Sequence, residues 1–357
     1  MTIVGADLFE YSVPLRAPLV LDNRILTTRR GLLLRLVGGD DAVGWGDAAP
    51  LPGFSTEDLL EARHQARPLV VSLRDVEIPD VWDPTALRTI VGDTCASVAF
   101  AAETAVAELL GRSQGRSVLD VLGGGASRCQ INALISDEDD LDRSVDRCLR
   151  QGYSTVKLKV GRRTIEADAA RVRGLSRRAN GALALRLDAN RAWTMEEATA
   201  FAEAIGTVPI DYVEEPLRTP ERLPELVSKT GLPVAIDETT REAAPDFLEE
   251  MPFVRAVVLK PSLLGGAIPT LRWAQAARRV EAAPVISASY ESGVGLRMLA
   301  ALAATMTDEA AGVSTHDRLE TDVLTPRISF DRPTVDVERL YRSSVDETTI
   351  RLVDSQT

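Results

Sequence analysis

Short apolar runs alternate with helix-like stretches from Cys129 onward. The helix-like stretches include 163–179, 194–206 and 267–280. The apolar runs are INALI (131–135), TVKLKV (155–160), LALRLDAN (183–190), IDYVEE (210–215), LPVAIDE (232–238), VRAVVLK (254–260), APVISAS (283–289) and AAGVST (310–315). Eight strands that alternate with helices predict a closed parallel (β/α) barrel of the TIM type. A doubly wound open sheet is the competing fold, but its Gly-x-Gly-x-x-Gly fingerprint is absent.

The N-terminal third has a different pattern, typical of an α+β domain. Strand-like runs at 31–37 and 42–49 flank a Gly-Gly-Asp-Asp turn, which predicts a hairpin. Helical periodicity follows at 56–74 and 94–111, and Gly111 suits the C-terminal cap of the second helix.

Three segments are expected from this change of pattern. Residues 1–124 form an α+β capping domain, 125–321 form the catalytic barrel, and 322–357 return to the capping domain. The triple glycine at 123–125 has neither a preceding strand nor a following Lys-Ser/Thr, so it indicates a hinge rather than a phosphate loop.

Charged residues interrupt the predicted barrel strands where apolar ones are expected, since such strands are buried on both faces. In TVKLKV the two lysines, Lys157 and Lys159, share one face because side chains alternate along a strand. The apolar face should meet the helices, which directs both ammonium groups inward. Burying a charge costs several kcal/mol by rough estimate, so a buried charge is retained only where it has an ion-pair partner or a function.

The same feature recurs on the next four strands, which end with Asp188, Glu214, Asp237 and Lys260. The C-terminal ends of barrel strands are where such enzymes carry their active sites. Three carboxylates without histidine or cysteine favour Mg²⁺ or Mn²⁺ over zinc. Inward salt bridges without metal or chemistry are the alternative, but six charged groups on five successive strand ends disfavour it.

Net charge and the distribution of apolar residues disfavour several other classes of function. The net charge of −12 disfavours a nucleic-acid or anionic-membrane surface. No apolar run reaches the ~18 residues of a membrane span. The N-terminus lacks the basic stretch and apolar core of a signal peptide, so a cytoplasmic location is expected. A small anionic substrate remains compatible with the charge, and the oligomeric state, a homo-oligomer included, stays open.

Histidine and cysteine usage adds little chemistry. The only histidines are His64 and His316, which disfavours a three-histidine zinc site. His316 is expected to be a surface or supporting residue rather than a catalyst. Cys95, Cys129 and Cys148 have no metal-type spacing and are expected to be buried, reduced thiols.

These strand-end motifs resemble the muconate-lactonizing subgroup of the enolase superfamily over the whole chain. They are Lys157-Leu-Lys159, LDANRAW (187–193), VEEP (213–216), IDE (236–238) and LKP (259–261). Within that subgroup the chain is most similar to the o-succinylbenzoate synthase family. Four less specific stretches carry that likeness: GWGDAAPLPGFSTE (44–57), SVAFAAETA (97–105), LKPSLLGG (259–266) and ISASYESGVGL (286–296).

The resemblance implies an Mg²⁺ or Mn²⁺ site. Asp188, Glu214 and Asp237 match the family's metal ligands. Glu215 is the adjacent alternative to Glu214. Side-chain alternation favours Glu214, which shares its strand face with Tyr212.

The resemblance also implies α-proton abstraction from a carboxylate substrate followed by dehydration. Lys159 is the implied base, Lys260 stabilises anionic charge from the opposite side, and Lys157 keeps Lys159 deprotonated through its like charge. Asn190 and Glu238 are expected to orient the ligands and the catalytic lysine.

Substrate contacts are expected from two regions. Ser287, Ser289 and Glu291 lie at the end of the seventh strand, where they either line the substrate or only close the loop. In the capping domain, Phe54 and Ser55 belong to a turn-forming segment expected to cover the succinyl tail.

Two other functions stay open at this point. An N-acylamino acid racemase or dipeptide epimerase on the same scaffold would use Lys159 and Lys260 as two bases. A catalytically inactive barrel that serves as a binding protein is the alternative of another class, and the intact lysines and carboxylates argue against it.

Overall fold

The structure, a computed structural model, describes residues 1–21, 24–136, 140–330 and 332–356. The strands are β1 Ile3–Leu21, β2 Arg24–Gly38, β3 Val43–Ala48, β4 Arg128–Gln130, β5 Ala133–Ile135, β6 Thr155–Lys159, β7 Ala184–Asp188, β8 Tyr212–Glu214, β9 Val234–Ile236, β10 Val254–Leu259, β11 Ala283–Ile286, β12 Leu324–Thr325, β13 Thr334–Asp336, β14 Ser344–Val345 and β15 Ile350–Gln356.

Helices connect most of these strands. The α-helices are α1 Leu59–Leu73, α2 Pro84–Val91, α3 Ala96–Gln114, α4 Val118–Val121, α5 Leu141–Arg150, α6 Ile165–Ala179, α7 Met195–Ile205, α8 Leu223–Thr230, α9 Pro261–Leu264, α10 Ala267–Arg279, α11 Gly293–Met306 and α12 Val337–Leu340. Short 3₁₀ helices lie at Pro220–Arg222, Glu238–Arg241, Pro245–Glu250, Ser314–Arg318 and Glu347–Thr349.

Strands β5 to β11 form one parallel sheet in sequential order, which confirms the barrel prediction. The sheet curls until Ala311 bridges Ile131 and Gly312 bridges Ser287. The eighth strand, expected at 310–315, is therefore shortened to two bridging residues. The chain leaves the ladder there because it turns directly into the 3₁₀ helix that begins at Ser314.

Side-chain alternation on β6 follows the sequence prediction. Val156 and Leu158 are almost wholly buried in the main hydrophobic core, while Lys157 and Lys159 line a cavity at the barrel mouth. This register aims the two ammonium groups at the strand ends that carry the carboxylates.

The N-terminal sheet is antiparallel, in the order β15-β1-β2-β3. Its close packing against α3 depends on two glycines of β3, because a Cβ at Gly44 or Gly46 would lie 2.0 or 1.8 Å from a helix carbonyl oxygen. The C-terminal strand β15 completes the sheet by pairing with β1.

Helix α3 is longer than predicted. It continues through Gly111 to Gln114 and ends at Gly115, whose left-handed conformation suits a C-terminal cap. Gly111 is instead packed inside the helix against the chain at Arg116, where a Cβ would lie 3.0 Å from the carbonyl oxygen.

Two remaining predictions concern the burial of the cysteines and membrane-spanning segments. Cys129 and Cys148 are buried free thiols as expected, whereas Cys95 is only partly buried because it precedes the first turn of α3. Among the described residues, no helix combines the length and apolar character needed to cross a membrane.

Candidate active site

The ammonium groups of β6 lie between carboxylates from the next two strands. Lys157 Nζ is 2.8 Å from Asp188 Oδ2 and 2.7 Å from Glu214 Oε2. Lys159 Nζ donates to Asp188 Oδ2 and to Asn190 Oδ1, each at 2.6 Å. The parallel register explains this, since Lys159 pairs with Asp188 and Asp188 pairs with Glu214 along the sheet.

A second set of contacts lies across the barrel mouth. Lys260 Nζ donates to Asp237 Oδ2. Asn190 Nδ2 donates to Glu238 Oε1 at 3.1 Å, so one amide links Lys159 to Glu238. The structure thus brings together all eight residues that the sequence predicted as catalytic lysines, metal ligands and orienting groups.

The neighbouring Glu214 and Glu215 point in different directions. Glu215 Oε1 accepts the backbone N–H groups of Asp237 and Thr239 at 2.9 and 2.7 Å, and its Oε2 accepts from Arg191 at 3.0 Å. Glu215 is therefore committed to holding the following strand end, whereas Glu214 faces the lysines.

Burial and charge act in opposite directions on these groups. Burial alone would lower the pKa of Lys157, but Asp188, Glu214 and Asp237 raise it well above its usual value. Burial, together with the negative charge of Asp188, raises the pKa of Glu214. Burial and the neighbouring Asp237 raise the pKa of Glu238 to about 7. The site therefore concentrates more negative charge than Lys157 alone neutralises.

The donor set suits a hard divalent cation. Three buried carboxylates lie on consecutive strand ends, and like charges so close together are stabilised by a cation between them. Within the described part of the chain, no three carboxylate, histidine or cysteine side chains enclose a common point as a finished metal site. The ammonium groups of Lys157 and Lys260 contact these carboxylates instead, so metal binding requires those contacts to give way.

A cavity of about 230 Å³ opens above these groups, between the barrel and the capping domain. From the barrel its walls include the lysines, Asp188, Asn190, Ser287 and Ser289. From the capping domain come the end of β1 and the side chains of Leu51 and Phe54. Both parts of the chain therefore shape one substrate pocket.

The predicted substrate-contact residues separate into two groups. Phe54, Ser287 and Ser289 line the cavity. Ser55 does not; its Oγ accepts from Leu51 N at 2.8 Å and so stabilises the turn. Glu291 is fully buried behind the wall, where it accepts from Ser262 Oγ and the Ser289 N–H.

Several other wall residues are not predicted from the sequence, because the strand-end pattern does not extend to them. They include Tyr290 and Arg162 in loops, Arg318 in a 3₁₀ helix, and the segment 17–21 at the end of β1. Arg318 donates to Ser136 Oγ at the rim. A positive charge at the rim suits an anionic substrate.

Arg186 and His316 lie away from the reacting groups. Arg186 is buried at the opposite end of the barrel, where it pairs with Asp211 and Glu309. His316 is buried rather than on the surface, and its Nε2 lies 3.2 Å from Asp322 Oδ2. Neither lines the cavity.

Lysine is rare in this protein. Of 41 basic residues only four are lysines, and three of them, Lys157, Lys159 and Lys260, lie at this site. Arginine stays protonated, so of these two basic side chains only lysine can exchange a proton during catalysis. The fourth, Lys229, lies exposed at the end of α8.

Comparisons with known proteins agree with this geometry. Residues 140–340 match the family model "Enolase C-terminal domain-like", and residues 3–109 match "MenC, N-terminal domain". An o-succinylbenzoate synthase of Pasteurella multocida is 34% identical, over 94% of this chain and 96% of that protein. One from Pectobacterium atrosepticum is 36% identical, over 89% and 92%.

The chain belongs to the o-succinylbenzoate synthase family. The crystal structure of a dipeptide epimerase from Enterococcus faecalis, complexed with Mg and L-Leu-L-Tyr, has the same fold. Its TM-score is 0.81 at 21% identity, with 98% of this chain and 100% of that chain covered. The sequence prediction of the family and of the superfamily fold is confirmed.

The four stretches that resemble the o-succinylbenzoate synthase family meet at the junction of capping domain and barrel. Asp47, in the first, accepts from the backbone and hydroxyl of Ser292, in the last, both at 2.8 Å. Glu103, in the second, accepts from Ala267 N, directly after the third, and a Cβ at Gly266 would lie 2.2 Å from the same carboxylate oxygen. These stretches therefore specify how the domains fit together, while the strand-end motifs supply the reactive groups.

Proposed function

We propose that this protein dehydrates 2-succinyl-6-hydroxy-2,4-cyclohexadiene-1-carboxylate to 2-succinylbenzoate, a step of menaquinone biosynthesis. Membership of the o-succinylbenzoate synthase family supports the reaction. The observation that carries the assignment of roles is the convergence of three lysines and three carboxylates beneath one covered cavity.

Asp188, Glu214 and Asp237 would hold one divalent cation, Mg²⁺ or Mn²⁺, through their carboxylate oxygens. When bound, such a cation acts as a Lewis acid toward the substrate carboxylate. The support is the donor chemistry: three buried oxygen ligands from consecutive strands, with Glu215 engaged elsewhere.

Lys159 acts as the base and then as the acid. Its Nζ takes the proton from the carbon that bears the carboxylate, and the electron pair becomes part of an enediolate. The bond between C6 and the hydroxyl oxygen then breaks, and Lys159 returns its proton to that oxygen. Water departs, and the ring that remains is aromatic. Use of one group for both transfers requires the proton and the leaving oxygen on the same face.

Lys260 and Lys157 contribute charge. Lys260 lies directly after β10, across the mouth, and stabilises the enediolate electrostatically. Lys157 places a second positive charge beside Lys159. Asn190 bridges Lys159 and Glu238 and so holds the base in position.

Replacing Lys260 by arginine tests this assignment against a racemase. The Lys260→Arg protein keeps the positive charge but loses a base, because guanidinium stays protonated. We expect dehydration, followed by ultraviolet absorbance of the aromatic product, to fall by less than the ~10² that a lost base costs at minimum.

Solvent-deuterium exchange into both enantiomers of an N-succinyl amino acid is the companion measurement. A racemase needs both lysines, so Lys260→Arg would abolish exchange at one enantiomer. Rapid exchange by the wild type with negligible dehydration of the cyclohexadiene would contradict the proposal.

The capping domain contributes specificity and no acid or base. Phe54 lies with its ring 5.7 Å from Lys260 Nζ and 5.8 Å from the Arg241 guanidinium. We expect Phe54→Ala to raise KM about tenfold through lost apolar contact, with kcat much less affected. Steady-state kinetics checks this, with Phe54→Leu giving an intermediate effect. A fall in kcat of several orders of magnitude at unchanged KM would refute this division of labour.

A further inference from the structure

Arg29, on β2, is a buried cation with an unusual set of partners. Its side chain is 2% exposed. In the described ranges no carboxylate lies within ion-pair distance of its guanidinium. All of its hydrogen bonds instead go to backbone carbonyl oxygens, those of Arg30, Ala49, Pro50, Ser289 and Tyr290.

These carbonyls belong to two different walls of the substrate pocket. Nη1 donates to Pro50 O at 2.8 Å and Nη2 to Ala49 O, directly before the turn that carries Leu51 and Phe54. Nε donates to Tyr290 O at 2.9 Å, in the loop after β11. Leu51, Phe54 and Tyr290 all line the cavity. One guanidinium thus joins a capping-domain wall to a barrel wall.

Stability alone is a weak reason for such a group. A buried charge is costly, and an apolar side chain of similar size is often as stable or more so. A planar guanidinium has donors in fixed directions, which an apolar side chain or a lysine lacks. Its use here indicates that the relative position of the two walls matters.

The backbone at Tyr290 also needs support. Tyr290 has a φ of 62°, in the left-handed region that residues other than glycine rarely adopt. Such conformations persist where surrounding contacts impose them, and Arg29 binds the carbonyl of this residue. Ser289 and Tyr290 are thereby held at the pocket surface.

We propose that Arg29 is a positioning residue that joins the 49–54 segment to the 289–290 loop and so sets the shape of the substrate pocket. The kinetic part of this inference rests on the proposed dehydration. The structural part does not, because the coupling of two loops is measurable without substrate.

Other contacts keep the two domains together when Arg29 is replaced. Asp47 accepts from Ser292, and the buried pair of Arg297 with Glu108 has an N–O distance of 2.5 Å. Arg29→Ala is therefore expected to fold. Arg29→Lys is the second variant, since one ammonium group cannot reach all of the carbonyls at once.

Hydrogen exchange of the free protein is measured first, with Arg30→Ala as the matched control. Arg30 is the next residue on β2, but its side chain is 58% exposed and pairs with Glu10 away from the pocket. In both Arg29 variants we expect segments 49–55 and 287–291 to exchange faster together. Arg30→Ala should leave both segments as in the wild type.

Steady-state dehydration kinetics is the second measurement. We expect both Arg29 variants to raise KM by about tenfold or more with a smaller change in kcat, since hydrogen bonds to a charged group are lost. Ethylguanidinium added to Arg29→Ala should lower KM again. A purely structural role would lower the thermal midpoint without moving KM.

Three results would overturn the inference. They are unchanged exchange in one or both segments, an unchanged KM, and Arg29→Lys kinetics equal to the wild type. A wild type that shows no dehydration would instead overturn the proposed function, and hydrogen exchange would still decide whether Arg29 couples the loops.

Discussion

Replacing Lys159 by alanine is expected to abolish measurable dehydration. A positioned base contributes about 10²- to 10⁴-fold to rate, and here the same Nζ also returns the proton to the leaving oxygen. The loss should therefore reach or exceed the upper end of that range. Appearance of the aromatic product, followed by its ultraviolet absorbance, measures the effect, and the fall should be in kcat because the change removes a group that acts in the transition state.

Lys229→Ala is the matched control, because it removes the remaining lysine, exposed on α8, and should leave the rate unchanged. Circular dichroism and thermal unfolding establish that Lys159→Ala is folded. Dehydration by Lys159→Ala within tenfold of the wild type would show that another group takes the proton.

Removal of the divalent cation is expected to have the second large effect. Dialysis against EDTA should abolish activity, and Mg²⁺ or Mn²⁺ should restore it, because the cation contributes several kcal/mol by rough estimate to stabilising developing charge. Mn²⁺ binding, followed by electron paramagnetic resonance, should show one site, independently of turnover.

The adjacent glutamates give this experiment its sharpest control. Glu214→Gln should weaken Mn²⁺ binding strongly, because it removes one charged oxygen ligand. Glu215→Gln should retain it, since an amide oxygen still accepts the N–H groups of Asp237 and Thr239. The reverse order would assign the ligand to Glu215, and a wild type that binds no Mn²⁺ would refute the metal site.

The scarcity of lysine connects composition to mechanism. Arginine makes up nearly all of the basic residues, and it fills structural positions such as Arg29, Arg186 and Arg297. Three of the four lysines lie instead at the proposed active site, where the proposed base Lys159 must gain and lose a proton.

The sequence by itself determined the barrel and its reactive groups. Alternation along a strand and burial on both faces are local rules, so they predict that Lys157, Lys159 and Asp188 lie on the inner surface. The likeness to the o-succinylbenzoate synthase family rested on motifs that can be read directly. In the secondary structure, the wrong predictions concern element ends, as at Gly111 and the shortened eighth strand, where packing against a distant segment ends or prolongs an element.

Only the tertiary structure decided the contacts between segments far apart in the chain. Arg29 lies in no motif, and its partners in the two pocket walls stand 20 or 21 and 260 or 261 residues away, so no periodicity points to it. Glu291 and Ser55 have sequence neighbours that line the pocket, yet their own hydrogen bonds turn them behind the wall. The local sequence pattern indicates which face of its element a side chain occupies, but the residues that it contacts there depend on how the domains pack.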